Sequence, residues 1–177
     1  MTHSSELHEI ILTSDYQKSI FDLMEEVSKE MGELYYLPAK SIIQSSLAHG
    51  FSRGIVTTDN YLLGFFLISP NVHYPCIDEF LPQHRYGFYV AGVYLNKSYR
   101  SLGLGFQLGN HCLNYLSKGD SNMIWTTVSP VNHQSNQLFK KLGFHHIATT
   151  YVYENKIYRT IIYKNFGHNQ VLYSQLN

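Results

Sequence analysis

Two stretches of the chain hold residues whose types and spacing suggest chemistry. The first is Tyr94-Leu95-Asn96-Lys97-Ser98-Tyr99-Arg100-Ser101-Leu102-Gly103-Leu104-Gly105. An apolar, aromatic run from Tyr86 to Leu95 leads into it, rich in the residues strands favour. Phe106, Leu108, Leu113 and Leu116 follow at roughly helical spacing. A strand, a basic glycine-bearing loop and a helix, in that order, make an anion cradle. Glycine lets the backbone approach a ligand closely, and the unpaired amides of a helix start point outward. Arg100 offers a fork for an oxygen. The loop is not a P-loop, since no Gly-Lys-Ser/Thr follows, and it lacks the Gly-x-Gly-x-x-Gly dinucleotide fingerprint. Taken alone, it is also readable as a turn that needs two glycines for shape.

The second stretch is Thr126-Thr127-Val128-Ser129-Pro130-Val131-Asn132, which closes a strand, followed by a short helix up to Gly143-Phe144. Asn132 is a natural cap for that helix, Lys140 and Lys141 make its last turn basic, and Gly143 suits the position just past its end.

Together the two stretches resemble the GCN5-related N-acetyltransferase (GNAT) family. Arg100-x-x-Gly103-x-Gly105 looks like that family's acyl-CoA pyrophosphate loop, and Asn132-x-x-Ser135-x-x-Leu138-Phe139-x-x-x-Gly143-Phe144 looks like its second cofactor motif. The resemblance is clear from Tyr86 to Phe144 and extends in outline from residue 7 to 165. It implies an α/β fold with a mixed, mostly antiparallel sheet, splayed at the cofactor-binding strand and flanked by about four helices. It implies transfer of an acyl group, usually acetyl, from acetyl-CoA to a primary amine of a small molecule or peptide. By carry-over, main-chain groups of Val93 and Leu95 hold the pantetheine arm. Amides of Ser101, Leu102, Gly103, Leu104, Gly105 and Phe106 receive the pyrophosphate with Arg100 beside it. Asn132, Ser135 and Phe139 meet the arm from the other side.

Two departures bear on catalysis. Many members carry a tyrosine at the position of Phe139 to protonate the departing thiolate, and phenylalanine cannot do so. Some place Glu or His on the central strand as base, and the matching positions here are Tyr89 and Ala91. Candidates for proton transfer are therefore Tyr89 through water, Glu79 or His84 from a long loop, and Tyr153 or Tyr151 on a late strand. A thiolate leaves readily, because free thiols ionise near pH ~8.5. A non-enzymatic CoA-binding or sensor module on the same fold is the competing reading. A transferase for longer acyl chains is a third, motivated by the many aromatic residues.

With 177 residues the expectation is one domain over 1–165 and a C-terminal tail over 166–177. Lys+Arg and Asp+Glu are 13 each, which gives no support for nucleic-acid or anionic-membrane binding. Cys76 and Cys112 lie far apart without metal or redox spacing and read as free thiols in a reducing compartment. No histidine pair has His-x-x-x-His spacing beside a carboxylate, and His145-His146 would face opposite ways on a strand, so no metal is expected. The absence of a long apolar run or a signal-like N-terminus leads to a cytoplasmic expectation. Edge strands and the tail leave room for a homodimer.

In order, the pattern predicts a strand at 7–12, a helix capped at Ser14 or Asp15 and running to Met31, and a Tyr35-Tyr36 connector. A second helix over 38–49 and a hairpin turning at Thr58-Asp59-Asn60 follow. Pro70 to Arg85 reads as a loop, either a solvated excursion or an acceptor-binding flap. A turn at 118–122 and a final hairpin turning at 154–156 complete the pattern.

Overall fold

A computed structural model describes residues 6–119, 122–154 and 156–167. The expected tail beyond 167, the middle of the turn at 118–122 and residue 155 of the last hairpin lie outside them.

The elements run β1 (Leu7–Ile11), α1 (Gln17–Met31), α2 (Lys40–Ala48), β2 (Arg53–Thr57), β3 (Leu62–Pro70), β4 (Phe88–Leu95), α3 (Leu104–Leu116), β5 (Met123–Val128), α4 (His133–Lys141), β6 (His145–Val152) and β7 (Ile157–Asn165). One mixed sheet has the order β1-β2-β3-β4-β5-β7-β6, and only β4 and β5 pair in parallel. Leu12, Ile20, Met24, Val27, Phe65 and Trp125 form one apolar layer, with α1 and α2. Phe66, Ile68, Leu108, Leu113, Phe139 and Leu142 form the other, beneath α3 and α4. The alternation of Phe65 and Phe66 across β3 shows the period-two pattern feeding both layers.

Local signals explain most boundaries. Gly32, at φ 53°, ends α1. The expected caps Ser14 and Asp15 instead form a 3₁₀ turn, and α1 begins at Gln17. The second helix opens at Lys40 rather than residue 38, with Ala39 (φ −58°, ψ 147°) as its N-cap. Tyr86, expected to open the central strand, sits exposed in a 3₁₀ turn, and β4 starts at Phe88.

Residues 71–87 are a packed flap rather than a solvated excursion. Val72, Ile77 and Leu81 join the core layer that contains α1. His84 is wholly buried and holds both ends of the flap. Its Nε2 accepts from the Tyr74 amide at 3.1 Å. Because an amide can only donate, Nδ1 carries the proton and donates to the Leu81 carbonyl at 2.8 Å. The ring also meets Trp125 edge-on at 4.9 Å.

Burial pushes the His84 imidazole below its ordinary value, although Asp78 acts in the opposite direction and His73 and Arg85 in the same one. The unfolded chain therefore takes up this proton first, near pH ~6.5. The stabilisation from neutral His84 is complete above that pH and is lost as pH falls through and below it. Melting curves between pH 7.5 and 5 should show a shallower loss of Tm in His84→Gln than in the wild type. Parallel slopes would show that His84 does not carry the acid sensitivity.

Candidate active site

The site begins with a failure of pairing. β4 and β5 pair only at Phe88↔Ile124 and Tyr89↔Trp125. The register of β4 against β3 then shifts between Leu67 and Ile68, leaving Ala91 as an extra residue. Such a bulge bends the strand that carries it. The Thr126 hydroxyl donates to the Val90 carbonyl at 2.9 Å, a side chain bonding where the ladder has ended. Beyond this point the edge of β4 that faces β5 is open.

Two adjoining chambers occupy the opening. The outer has a volume of about 460 Å³ and is lined by β4, the loop after it, α3, α4 and α1. The inner, about 50 Å³, lies among Tyr35, Tyr36, Tyr89, Thr127, Phe139 and Arg159. Tyr35, Val93, Asn132 and Ser135 line both.

The outer chamber's mouth is a nest of backbone amides. Ser101 and Gly103 have left-handed φ values of 64° and 80°, separated by Leu102. Alternating hand makes successive N–H groups converge. Gly103 is the N-cap of α3. The Arg100 amide donates to Lys97 and the Gln107 amide to Gly103, while no described residue accepts from the amides of Ser101, Leu102, Gly103, Leu104, Gly105 or Phe106. Leu102's side chain is exposed and lines neither chamber.

Arg100 does not face this nest with a free fork. Its Nη1 and Nη2 donate to Glu30 at 2.6 and 2.8 Å, and its Nε donates to the Leu95 carbonyl at 2.9 Å. The guanidinium also lies over the Tyr94 ring, 5.3 Å from its centre. It ties α1 to the end of β4, and it holds the Glu30 carboxyl below the usual carboxylate range. Among the described residues lining the outer chamber, the cation without an ion pair or hydrogen bond is Lys141, from the last turn of α4.

Asn132 caps α4 as its sequence suggests, its Oδ1 accepting from the Ser135 amide at 3.1 Å. No described residue takes a hydrogen bond from its Nδ2. Phe139 is buried against Phe66 and Phe144 and touches the inner chamber.

The five proton-transfer candidates separate. Tyr151 is exposed and lines neither chamber. Glu79 is exposed and lines neither chamber. His84 is locked by backbone inside the flap. Tyr89 lines the inner chamber, and its hydroxyl lies 3.2 Å from that of Tyr153. Tyr153 stands one layer behind, bonded to Thr127 Oγ1 at 2.6 Å and stacked on Tyr36 at 4.0 Å. Burial raises the Tyr153 phenol to about 12 and that of Tyr89 well above its ordinary value, so both are neutral donors at physiological pH. Among the described residues lining the chambers there is no carboxylate and no histidine.

His73, Asp78 and His84 bring potential ligand atoms within 4.8 Å of one another. Both His84 nitrogens are committed to backbone, however, so that ring has no lone pair for a cation. No helix among the described residues is long and apolar enough to cross a membrane.

Arg159, on β7, was not singled out from the sequence. It shares a strand phase with Ile161 and Tyr163, which pack into the core layer that contains α1, and that inward phase was the available signal.

A sequence model of the acetyltransferase (GNAT) family matches residues 10–144. No curated protein sequence matches the chain. Among solved structures, a GNAT-family acetyltransferase from Streptococcus pneumoniae superposes with a TM-score of 0.69 at 16% identity, covering 92% of this chain and 100% of that one. Arabidopsis thaliana Naa50, in complex with the bisubstrate analogue CoA-Ac-MVNAL, gives 0.62 at 16% identity over 89% and 97% of the two chains. The ribosomal-protein-S18-alanine N-acetyltransferase of Escherichia coli gives 0.64 at 15% identity over 95% and 99%.

Proposed function

The chain belongs to the acetyltransferase (GNAT) family, and from that premise we propose that it transfers the acetyl group of acetyl-CoA to a primary amine of a small molecule or peptide. The observation that carries this reading is the set of unpartnered amides from Ser101 to Phe106, converging at the mouth of a chamber that ends in the β4–β5 opening. Main-chain donors at a helix start suit a pyrophosphate, and Lys141 adds charge beside them. The open edge of β4 and the Asn132 amide suit the amide-bearing pantetheine arm. Neighbours of this fold include one bound to a CoA bisubstrate analogue and one named for acetylating a protein alanine.

In the reaction, the amine nitrogen bonds to the thioester carbon, the C–S bond breaks, and the thiolate takes a proton. An unpaired β4 amide near Val93 supplies a donor for the developing oxyanion, often a large term in acyl transfer. Juxtaposing the two substrates in the splayed strand pair supplies much of the rest. With no carboxylate or histidine among the described residues lining either chamber, the amine enters neutral or loses its proton to water. The Tyr89–Tyr153–Thr127 hydroxyls can relay a proton but cannot act as its final base.

This arrangement sets the pH dependence. kcat/KM should rise with pH until the acceptor's own amine is neutral, and acceptors of lower pKa should reach the plateau correspondingly earlier. A shared inflection near pH 6–7 for all acceptors would reveal an enzyme base and refute the account.

Acetyl-CoA at a hundred times its Kd stabilises by about 2.7 kcal/mol, and should raise Tm by roughly 5–10 °C. No shift at millimolar acetyl-CoA would remove the transferase reading. Phe139 and the absent base favour one second reading, a CoA-binding module with little turnover. A clear shift without thiol release on any amine would establish it.

A further inference from the structure

The inner chamber contains a cation that the protein does not neutralise. Arg159 is 5% exposed. Its Nη1 donates to the Leu34 carbonyl at 3.1 Å and its Nη2 to the Thr127 carbonyl at 3.2 Å. Its Nε is buried without a partner, and so is the Tyr35 hydroxyl, which lines the same chamber. No carboxylate among the described residues forms an ion pair with it, whereas the chain's other part-buried arginines, Arg53 and Arg100, each face a glutamate. The surrounding phenols do not supply the missing charge. Burial raises those of Tyr35 and Tyr89 well above the ordinary range and that of Tyr153 to about 12. A buried charge without a counter-ion costs several kcal/mol, so the site as it stands is complementary to an anion.

Size and position narrow the anion. The chamber's roughly 50 Å³ exceeds the ~10–15 Å³ of such space that one water needs, enough for a compact planar group and too little for a chain. The guanidinium is itself planar and matches a carboxylate's two oxygens. Val93 and Asn132, where the chambers meet, are also where the proposed acyl-CoA arm ends. A carboxylate seated beside Arg159 leaves an amine on the adjoining carbon at that junction.

Resting on the acetyltransferase reading, we infer that Arg159 selects an acceptor carrying a carboxylate next to its amine, so that the acceptor class is amino acids rather than simple amines or peptide N-termini. The acceptor's carboxylate neutralises Arg159, and the Tyr35 hydroxyl gains a partner. The nearby guanidinium disfavours an ammonium ion and thereby helps the amine stay neutral.

The test measures thiol release from acetyl-CoA with free amino acids, their carboxamides, the corresponding decarboxylated amines and phosphoethanolamine. Wild type, Arg159→Gln and Arg159→Lys are compared, and each protein's Tm is recorded with and without acetyl-CoA. The expected result is an amino acid favoured over its carboxamide at least about tenfold in kcat/KM. Arg159→Gln erases this preference by raising the amino-acid KM, Arg159→Lys keeps part of it, and all three proteins show the same acetyl-CoA shift. Carboxamides or amines used as well as amino acids, phosphoethanolamine preferred, or an equal loss on every acceptor in Arg159→Gln overturns the inference. With the acetyl-CoA shift intact, so does the absence of any amino-acid turnover. A wild type that acetyl-CoA does not stabilise overturns the transferase reading and this inference together.

Discussion

Gly103→Asp should all but abolish acetyl-CoA binding while leaving the protein's stability within about 1 kcal/mol of the wild type. A Cβ at this position meets no heavy atom within 4 Å, so the substitution needs no repacking. The left-handed φ of 80° costs a side chain about 1–2 kcal/mol, and Asp and Asn bear it better than most residues. Against that cost, a carboxylate at the N-cap of α3 bonds the very amides left open, and a cap of this kind contributes about 0.5–2 kcal/mol. The added group thus occupies the pyrophosphate's place and repels what approaches. Losing charge-assisted bonds worth about 1.5–3 kcal/mol each raises Kd by roughly a hundredfold or more. Gly103→Asn separates shape from charge: it caps equally but repels nothing, and its affinity should fall between the two. Calorimetric titration with CoA, read beside Tm, checks both expectations. Unchanged affinity in Gly103→Asp would show that the nest does not receive the cofactor.

Trp125→Ala should be the most damaging core substitution near the site. The indole is wholly buried and sits at the last β4–β5 pair before the opening. It touches Tyr89 at 4.6 Å, His84 at 4.9 Å and Tyr74 at 6.1 Å between ring centres. Removing such a side chain costs about 3–5 kcal/mol, or roughly 10 °C or more of Tm for a chain this long. The cavity would open beneath the tyrosines and not beneath the amide nest. Below the melting transition, acceptor KM should therefore suffer while acetyl-CoA affinity stays within about threefold, as expected for sites without shared partners. A Tm loss of only a degree or two would mean that the flap and sheet do not share one core.

Local chemistry was legible in the sequence where its cause was local. Asn132 caps its helix through an atom three residues away, and Gly103 carries its left-handed turn in its own residue type. The order of strand, loop and helix from 86 to 116 follows from periodicity alone. Long-range pairings were not legible. Arg100 is claimed by Glu30, which lies far off on α1, and nothing near either residue announces the other. His84 on a polar loop looked available for catalysis, yet packing of Ile77 and Leu81 draws its ring inside. Tyr153 falls one layer short of the chamber because the β6–β7 hairpin leaves it behind Thr127 and Tyr89. Arg159 was hidden by habit, since a lone arginine in a strand is ordinarily assigned to solvent.

The flap has a consequence for how this protein can change. Tyr74 hands its amide to His84, while its ring packs edge-on against Tyr153 at 4.8 Å and against Tyr89 at 5.8 Å. The rings that line and back the inner chamber and the bonds that pin the flap thus meet in a single residue. A lineage adapting to a bulkier acceptor has little freedom to redraw this wall cheaply, because each remodelling step there is also a step toward unfolding. Diversification should instead run through exposed positions just after the Tyr35-Tyr36 connector, such as Leu37, which can drift without dismantling the domain.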